Sequence, residues 1–115
     1  MKKIKIQINY RQLKQLIAMT EQYIAGILDN NPMPTDQDKI SLDILFGIRQ
    51  DMRKKLISKE MYHNTRDKFK IALRYFEAHE LKKVITDPSM FDIYASIEKA
   101  LSGNKYLLEN QITVS

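Results

Sequence analysis

Apolar and polar residues alternate strictly over Lys2–Asn9, with Ile4, Ile6 and Ile8 on one side and Lys3, Lys5, Gln7 and Asn9 on the other. Period two with β-branched residues on one face predicts a half-buried strand over residues 1–9. At Tyr10 the period changes. Leu13, Leu16, Ile17, Thr20, Tyr23, Ile24, Ile27 and Leu28 follow the i, i+3, i+4, i+7 spacing of an amphipathic helix, which the pattern places over 10–29. Asp29, Asn30, Asn31, Pro32, Met33 and Pro34 end it, because two prolines and a cluster of Asx residues oppose helix continuation.

Thr35 with Asp38 three residues on has the form of a capping box and opens a second helix over 36–57. Leu42, Leu45, Ile48, Met52 and Leu56 are its inward positions. Ser58 reads as a fresh N-cap with Glu60 in the first turn, so a third helix is expected over 58–85, roughly 40 Å long. Its stripe is Tyr62, Thr65, Phe69, Ala72, Leu73, Phe76 and Val84. Asp87 as N-cap and Pro88 at the first helical position start a fourth over 87–102, with Met90, Phe91, Tyr94, Ile97 and Leu101 inside and Gly103 and Asn104 as its cap. Alternation returns at Gln111, Ile112, Thr113 and Val114, which predicts a short strand over 110–114. The expected fold is therefore mainly α and a single domain over 1–115. About four helices form a bundle or orthogonal array, helices two and three make a long antiparallel hairpin, and short β-strands stand at both termini. Either the two terminal strands pair with each other under a covering helix, or the first pairs with its copy in a second chain, since an unpaired edge templates such pairing; Ile4, Ile6 and Ile8 are thus the candidates for self-association as a homodimer.

Composition narrows the function classes. A chain of 115 residues with 43% hydrophobic and 29% charged residues is sized for one folded domain. It has no cysteine, which removes disulfides, thiolate catalysis and Cys-ligated zinc. Its longest apolar-rich stretch, Tyr23 to Leu28, is far too short for a membrane span, and the expectation is a cytoplasmic protein with no membrane partner. The three glycines Gly26, Gly47 and Gly103 are scattered and make no phosphate loop; Gly26 and Gly47 read as places where helices approach closely. Glu60 and His63 have a metal-ligand spacing, but the motif occurs once where di-metal bundles need it twice. Asp36 and Asp38 lack the glycine and distal Glu of a calcium loop. Glu80 falls on an apolar stripe and reads as a buried or rim ion pair. No catalytic residue, metal site, cofactor or small-molecule substrate is inferred, and the chain reads as a binding module rather than an enzyme.

Charge is more informative. Residues 1–20 hold five bases and no acid, residues 21–48 one base and five acids, and residues 49–70 eight bases and three acids, within a net charge of +5. Two basic blocks thus flank an acidic one, and such blocks attract polyanions or acidic partners. On the second helix Arg49 falls inside the apolar arc and Arg53 lies between Leu42 and Phe46. Folding helix three back about Ser58 brings Arg66 beside both, with Lys70 flanking. Arg49, Arg53, Arg66 and Lys70 are therefore the candidate anion or partner-binding residues, because guanidinium forks match carboxylate and phosphate oxygens. Three sources of the anion are open: an internal carboxylate such as Glu21, a nucleic-acid phosphate backbone, or an acidic protein surface, including the acidic block of another copy. Protein–protein contact including self-association is the leading function expected, and nucleic-acid binding through the arginines is the alternative.

Overall fold

The computed structural model describes the backbone over residues 3–30 and 33–114, and side-chain surroundings up to Ser102. Strand β1 (Ile4–Asn9) runs into helix α1 (Tyr10–Asn30), followed by α2 (Asp36–Ser58), β2 (Lys68–Leu73), α3 (Tyr75–Val84) and α4 (Phe91–Val114). Single 3-10 turns at Glu60–Tyr62 and Pro88–Met90 follow α2 and precede α4. The fold is mainly α, with four helices and one two-stranded antiparallel sheet among the described residues.

The first half follows the residue pattern closely. Asn9 and Gln12 cap each other at the start of α1: Asn9 Oδ1 accepts from the Gln12 N–H at 2.8 Å, and Gln12 Oε1 accepts from the Asn9 N–H at 3.0 Å. Leu13, Leu16, Ile17, Thr20 and Ile24 are buried, and the Thr20 hydroxyl donates to the Leu16 carbonyl. Thr35 and Asp38 form the expected capping box, which satisfies two N–H groups at the start of α2. Of the predicted break between these helices, Asn31 and Pro32 lie outside the described residues.

The long third helix does not form. Ser58 closes α2 instead of opening a new helix, its hydroxyl donating to the Lys55 carbonyl. The chain then turns, with Thr65 accepting from the Asp67 N–H and donating to the Tyr62 carbonyl. Residues 68–73 become a strand. Phe69, Ala72, Leu73 and Phe76 fit a helical stripe, but Phe69, Ile71 and Leu73 fit period two equally well, and only the strand buries Ile71. Phe76, which the helical stripe placed inside, is 43% exposed.

What decides the ambiguity is β1. Its isoleucine row needs a partner, and β2 supplies the same alternation in antiparallel register: Ile4 opposite Leu73, Ile6 opposite Ile71 and Ile8 opposite Phe69. This pairing takes the place of the expected C-terminal strand and closes one edge of β1. The backbone is helical through Gly103 and Asn104 to Val114, so the cap at 103–104 and the strand at 110–114 are corrected as well. A glycine costs a helix only about 1 kcal/mol relative to alanine, and Leu107, Leu108, Glu109 and Gln111 beyond it are helix formers.

The sheet's apolar face and the inner faces of the helices share one core, from Ile4 and Ile8 through Leu13, Leu45, Leu81 and Met90 to Leu101. Ile93 is buried on α4 where the pattern pointed to Phe91, which is half exposed. Asp87 starts this last segment as expected, and the Ser89 N–H bond to its carboxylate holds its pKa below the ordinary value. An ion pair between Lys82 and Glu98 ties α3 to α4. The hydrogen bond between them raises the Lys82 pKa and lowers that of Glu98.

These placements give three checks. A Cβ built on Gly26 or Gly47 meets nothing within 4 Å, so neither glycine serves a close helix approach. Gly26→Ala and Gly47→Ala should each raise stability in urea unfolding by about 0.5–1 kcal/mol. Ile71→Lys should lower it by about 3–5 kcal/mol or prevent folding, because it buries an unpaired ammonium. Ala72→Lys, on the open face, should change it by less than about 0.5 kcal/mol; a helix over 58–85 would reverse that order. Finally, Glu98's lowered pKa makes its contribution present above the ordinary 4.5 and lost as pH falls through the folded value. The raised pKa of Lys82 makes its share present below 10.5 and lost as pH rises past it. Glu98→Gln should therefore flatten the stability profile at both the acid and the alkaline end.

Candidate functional site

Residues directly opposite in an antiparallel pair put their side chains on the same face. The register that sends Ile4, Ile6 and Ile8 inward therefore sends Lys5 out beside Ala72, Gln7 beside Lys70 and Asn9 beside Lys68. Lys3 extends the row, and Lys3, Lys5, Gln7, Lys68 and Lys70 are all exposed. Helix α4 flanks this face: Ser96, Lys99 and Ala100 line an open hollow of about 540 Å³ together with Lys5, Gln7 and Lys68. Four lysines from three elements, with Lys3 just before β1 as a fifth, thus surround one surface. Among the described residues none of the five is in an ion pair, and no Asp or Glu occupies a face position of either strand. Asp92, one turn before Ser96 on α4, accepts a hydrogen bond from Gln12 at 2.9 Å and is engaged there.

The positive surface continues around the end of the ribbon. Arg11 and Lys14, in the first turns of α1, line a second open hollow with Tyr10, Glu60 and His63. His63 packs edge-on to Tyr10 with ring centroids 6.3 Å apart, and its Nδ1 lies 2.9 Å from the Glu60 carbonyl oxygen. Among the described residues no group of His, Asp or Glu is placed to hold a metal. Lys59 caps the other side of the strand end, its ammonium over the rings of Tyr62 and Phe69 at 5.4 and 5.5 Å.

The anticipated arginine cluster does not assemble, because it depended on helix three folding back along α2. Arg53 pairs with Glu21 of α1, which makes it an internal contact of the helical hairpin. Arg49 is half-buried with its guanidinium 5.1 Å from the Phe46 ring centroid. Arg66 is exposed in the turn before β2. Of the four candidates only Lys70 joins the lysine face. Ile4, Ile6 and Ile8, the self-association candidates, are at most 3% exposed: their side chains lie in the core shared with the helices, and β1 is paired along one edge with β2. Sequence reasoning missed Lys3, Lys5, Lys68 and Lys99 as a group. For Lys3, Lys5 and Lys68 the signal was present in the two basic blocks, which recognising 68–73 as a strand would have joined; Lys99 lies outside both blocks.

Two other features are accounted for by packing. Glu80 is buried on α3, with Oε1 accepting from Lys83 at 3.1 Å and Oε2 without a partner among the described residues. An apolar hollow of about 170 Å³ lies between α2 and β2, floored by Ile48, Met52, Ile71 and Leu73. Its rim mixes Asp51 and Glu77 with Lys55, so it lacks the one-signed charge of the sheet face. Neither feature joins a nucleophile to a base, and the arrangement with the clearest chemistry is the lysine face, which offers an array of ammonium donors to anionic oxygens. No protein family matches the chain, and comparison with curated proteins and with solved structures likewise finds no match.

Proposed function

We propose that the protein is a non-catalytic binding module that holds nucleic acid by its phosphate backbone on the lysine face of the β1–β2 ribbon. The observation that carries this reading is the pairing itself, which sets Lys5 from the first basic block and Lys68 and Lys70 from the second on one open surface with no acid at a face position. Ammonium groups on such a surface release condensed counterions when they meet phosphates, which gives affinity without base contacts. The face presents donors and no proton-transfer pair, which suits holding rather than turnover. The reading also sets the protein in the cytoplasm, where nucleic acid is at hand.

A second reading is self-association by charge. The far end of the α1–α2 hairpin carries Asp29, Asp36, Asp38 and Asp43 against Lys39. Helix α1 puts this end about 30 Å from the ribbon along its axis. An acidic end and a basic face on one molecule are complementary between copies, and this keeps protein contact in view on surfaces other than the isoleucine row.

The test is fluorescence anisotropy of labelled oligonucleotides at about 50 and about 200 mM salt, with sedimentation velocity of the protein alone under both conditions. The expected result is salt-sensitive binding that a folded Lys5→Ala/Lys70→Ala variant weakens and an Arg49→Ala/Arg53→Ala variant keeps. Absence of binding at the lower salt overturns the nucleic-acid reading. Salt-sensitive multimers of the protein alone, abolished by Asp36→Asn/Asp43→Asn, would put the second reading in its place.

A further inference from the structure

Resting on the reading of the lysine face as a nucleic-acid surface, we infer that its ligand is double-stranded and is bound without regard to base sequence. The first argument is the layout of charge. The lysines do not form a single file: Lys5 stands on one strand with Lys3 just before it, Lys68 and Lys70 on the neighbouring strand, and Lys99 on the helix beside them. Adjacent strands are about 4.8 Å apart and alternate residues of one strand about 6.8 Å apart, so the ammonium groups are spread over an area rather than along a line. A duplex carries one charge per about 1.7 Å of axis where a single strand carries one per about 3.4 Å, so it gains more from an areal array.

The second argument is what the face does with its aromatic residues. Tight single-strand binders stack bases on exposed rings. Here the face positions are Lys5, Gln7, Asn9, Lys68, Lys70 and Ala72, and the one ring on β2, Phe69, points into the core beneath Lys59. Among the described residues the ribbon thus presents ammonium and amide groups where a stacking platform would need rings.

The third argument concerns groove access. A bare two-stranded ribbon fits the major groove, which is about 12 Å wide. This ribbon has α4 along one side, with Ser96 and Lys99 rimming the same hollow as Lys5 and Gln7. A helix alone is about 10 Å across, so ribbon and helix together exceed the groove width. The face rests on the phosphates at the groove edge, and Gln7 does not reach the base edges that would give it a preference.

The experiment titrates the full chain against fluorescein-labelled duplexes of about 20 base pairs in two unrelated sequences, and against one of their single strands, between about 50 and about 200 mM salt. The two duplexes should bind equally, and each at least about tenfold more tightly than the single strand. With five phosphate contacts the duplex affinity should fall about 500-fold over that range, and Lys5→Gln/Lys70→Gln should lower the log–log salt slope by about 1.8. Lys99→Gln, on a different element, should lower it by about 0.9, while Lys39→Gln at the acidic end should leave it unchanged. Circular dichroism confirms that each variant is folded. Equal or tighter binding of the single strand overturns this inference and leaves the underlying reading standing, as does a strong preference for one duplex. No binding to either form, or binding that the lysine variants do not weaken, overturns the reading on which it rests.

Discussion

A row of three isoleucines at the start of the chain must be covered on one face and paired along one edge, and the rest of the fold is arranged to do both. A lone two-stranded ribbon is marginal in water. β1 and β2 become stable by turning Ile4, Ile6, Ile8, Phe69, Ile71 and Leu73 onto a core that all four helices complete. Because the α1–α2 hairpin lies between the two strands in sequence, the pairing closes a long loop. The entropy of that closure grows only slowly with length and is offset by the apolar area that the closed form buries.

The same pairing sorts the charged residues into two kinds. Some on the helices are matched within the molecule: Arg53 by Glu21 and Lys82 by Glu98 between helices, and Glu80 by Lys83 within α3. Those that alternate outward along the strands have solvent opposite them. Period two makes this unavoidable: every apolar residue sent inward at Ile4, Ile6, Ile8, Phe69 and Ile71 sends a polar neighbour outward, and most of these neighbours are lysine. The charged surface and the buried core of the sheet are therefore two consequences of one alternation.

Lysine at an exposed strand position also protects the sheet from unwanted partners, since charges on an edge oppose chain-to-chain pairing. That role is compatible with ligand binding and acts on the same residues. What separates the two is the number of elements involved. Lys99 on α4 has no edge to guard, yet it rims the same hollow as Lys5 and Lys68. Convergence of ammonium groups from a helix and two strands is a feature of the surface as a whole.

Much of the fold was legible residue by residue. The strand at Ile4–Asn9, helix α1, helix α2 with its Thr35–Asp38 box, and the Asp87–Pro88 start of the last segment all rest on local periodicity and capping, which short stretches of sequence encode by themselves. The sequence alone also determined that two basic blocks flank an acidic one. The structure of residues 58–85 was not local. Lys68–Leu73 satisfies both a helical and a strand period, and the choice between them belongs to β1, which is distant in sequence and offers backbone groups and an apolar row to match. That choice then fixed the candidate site. It put Arg66 in the turn before β2 and set Lys70 beside Gln7, because which charges become neighbours depends on strand register, and register exists only once both strands are in place.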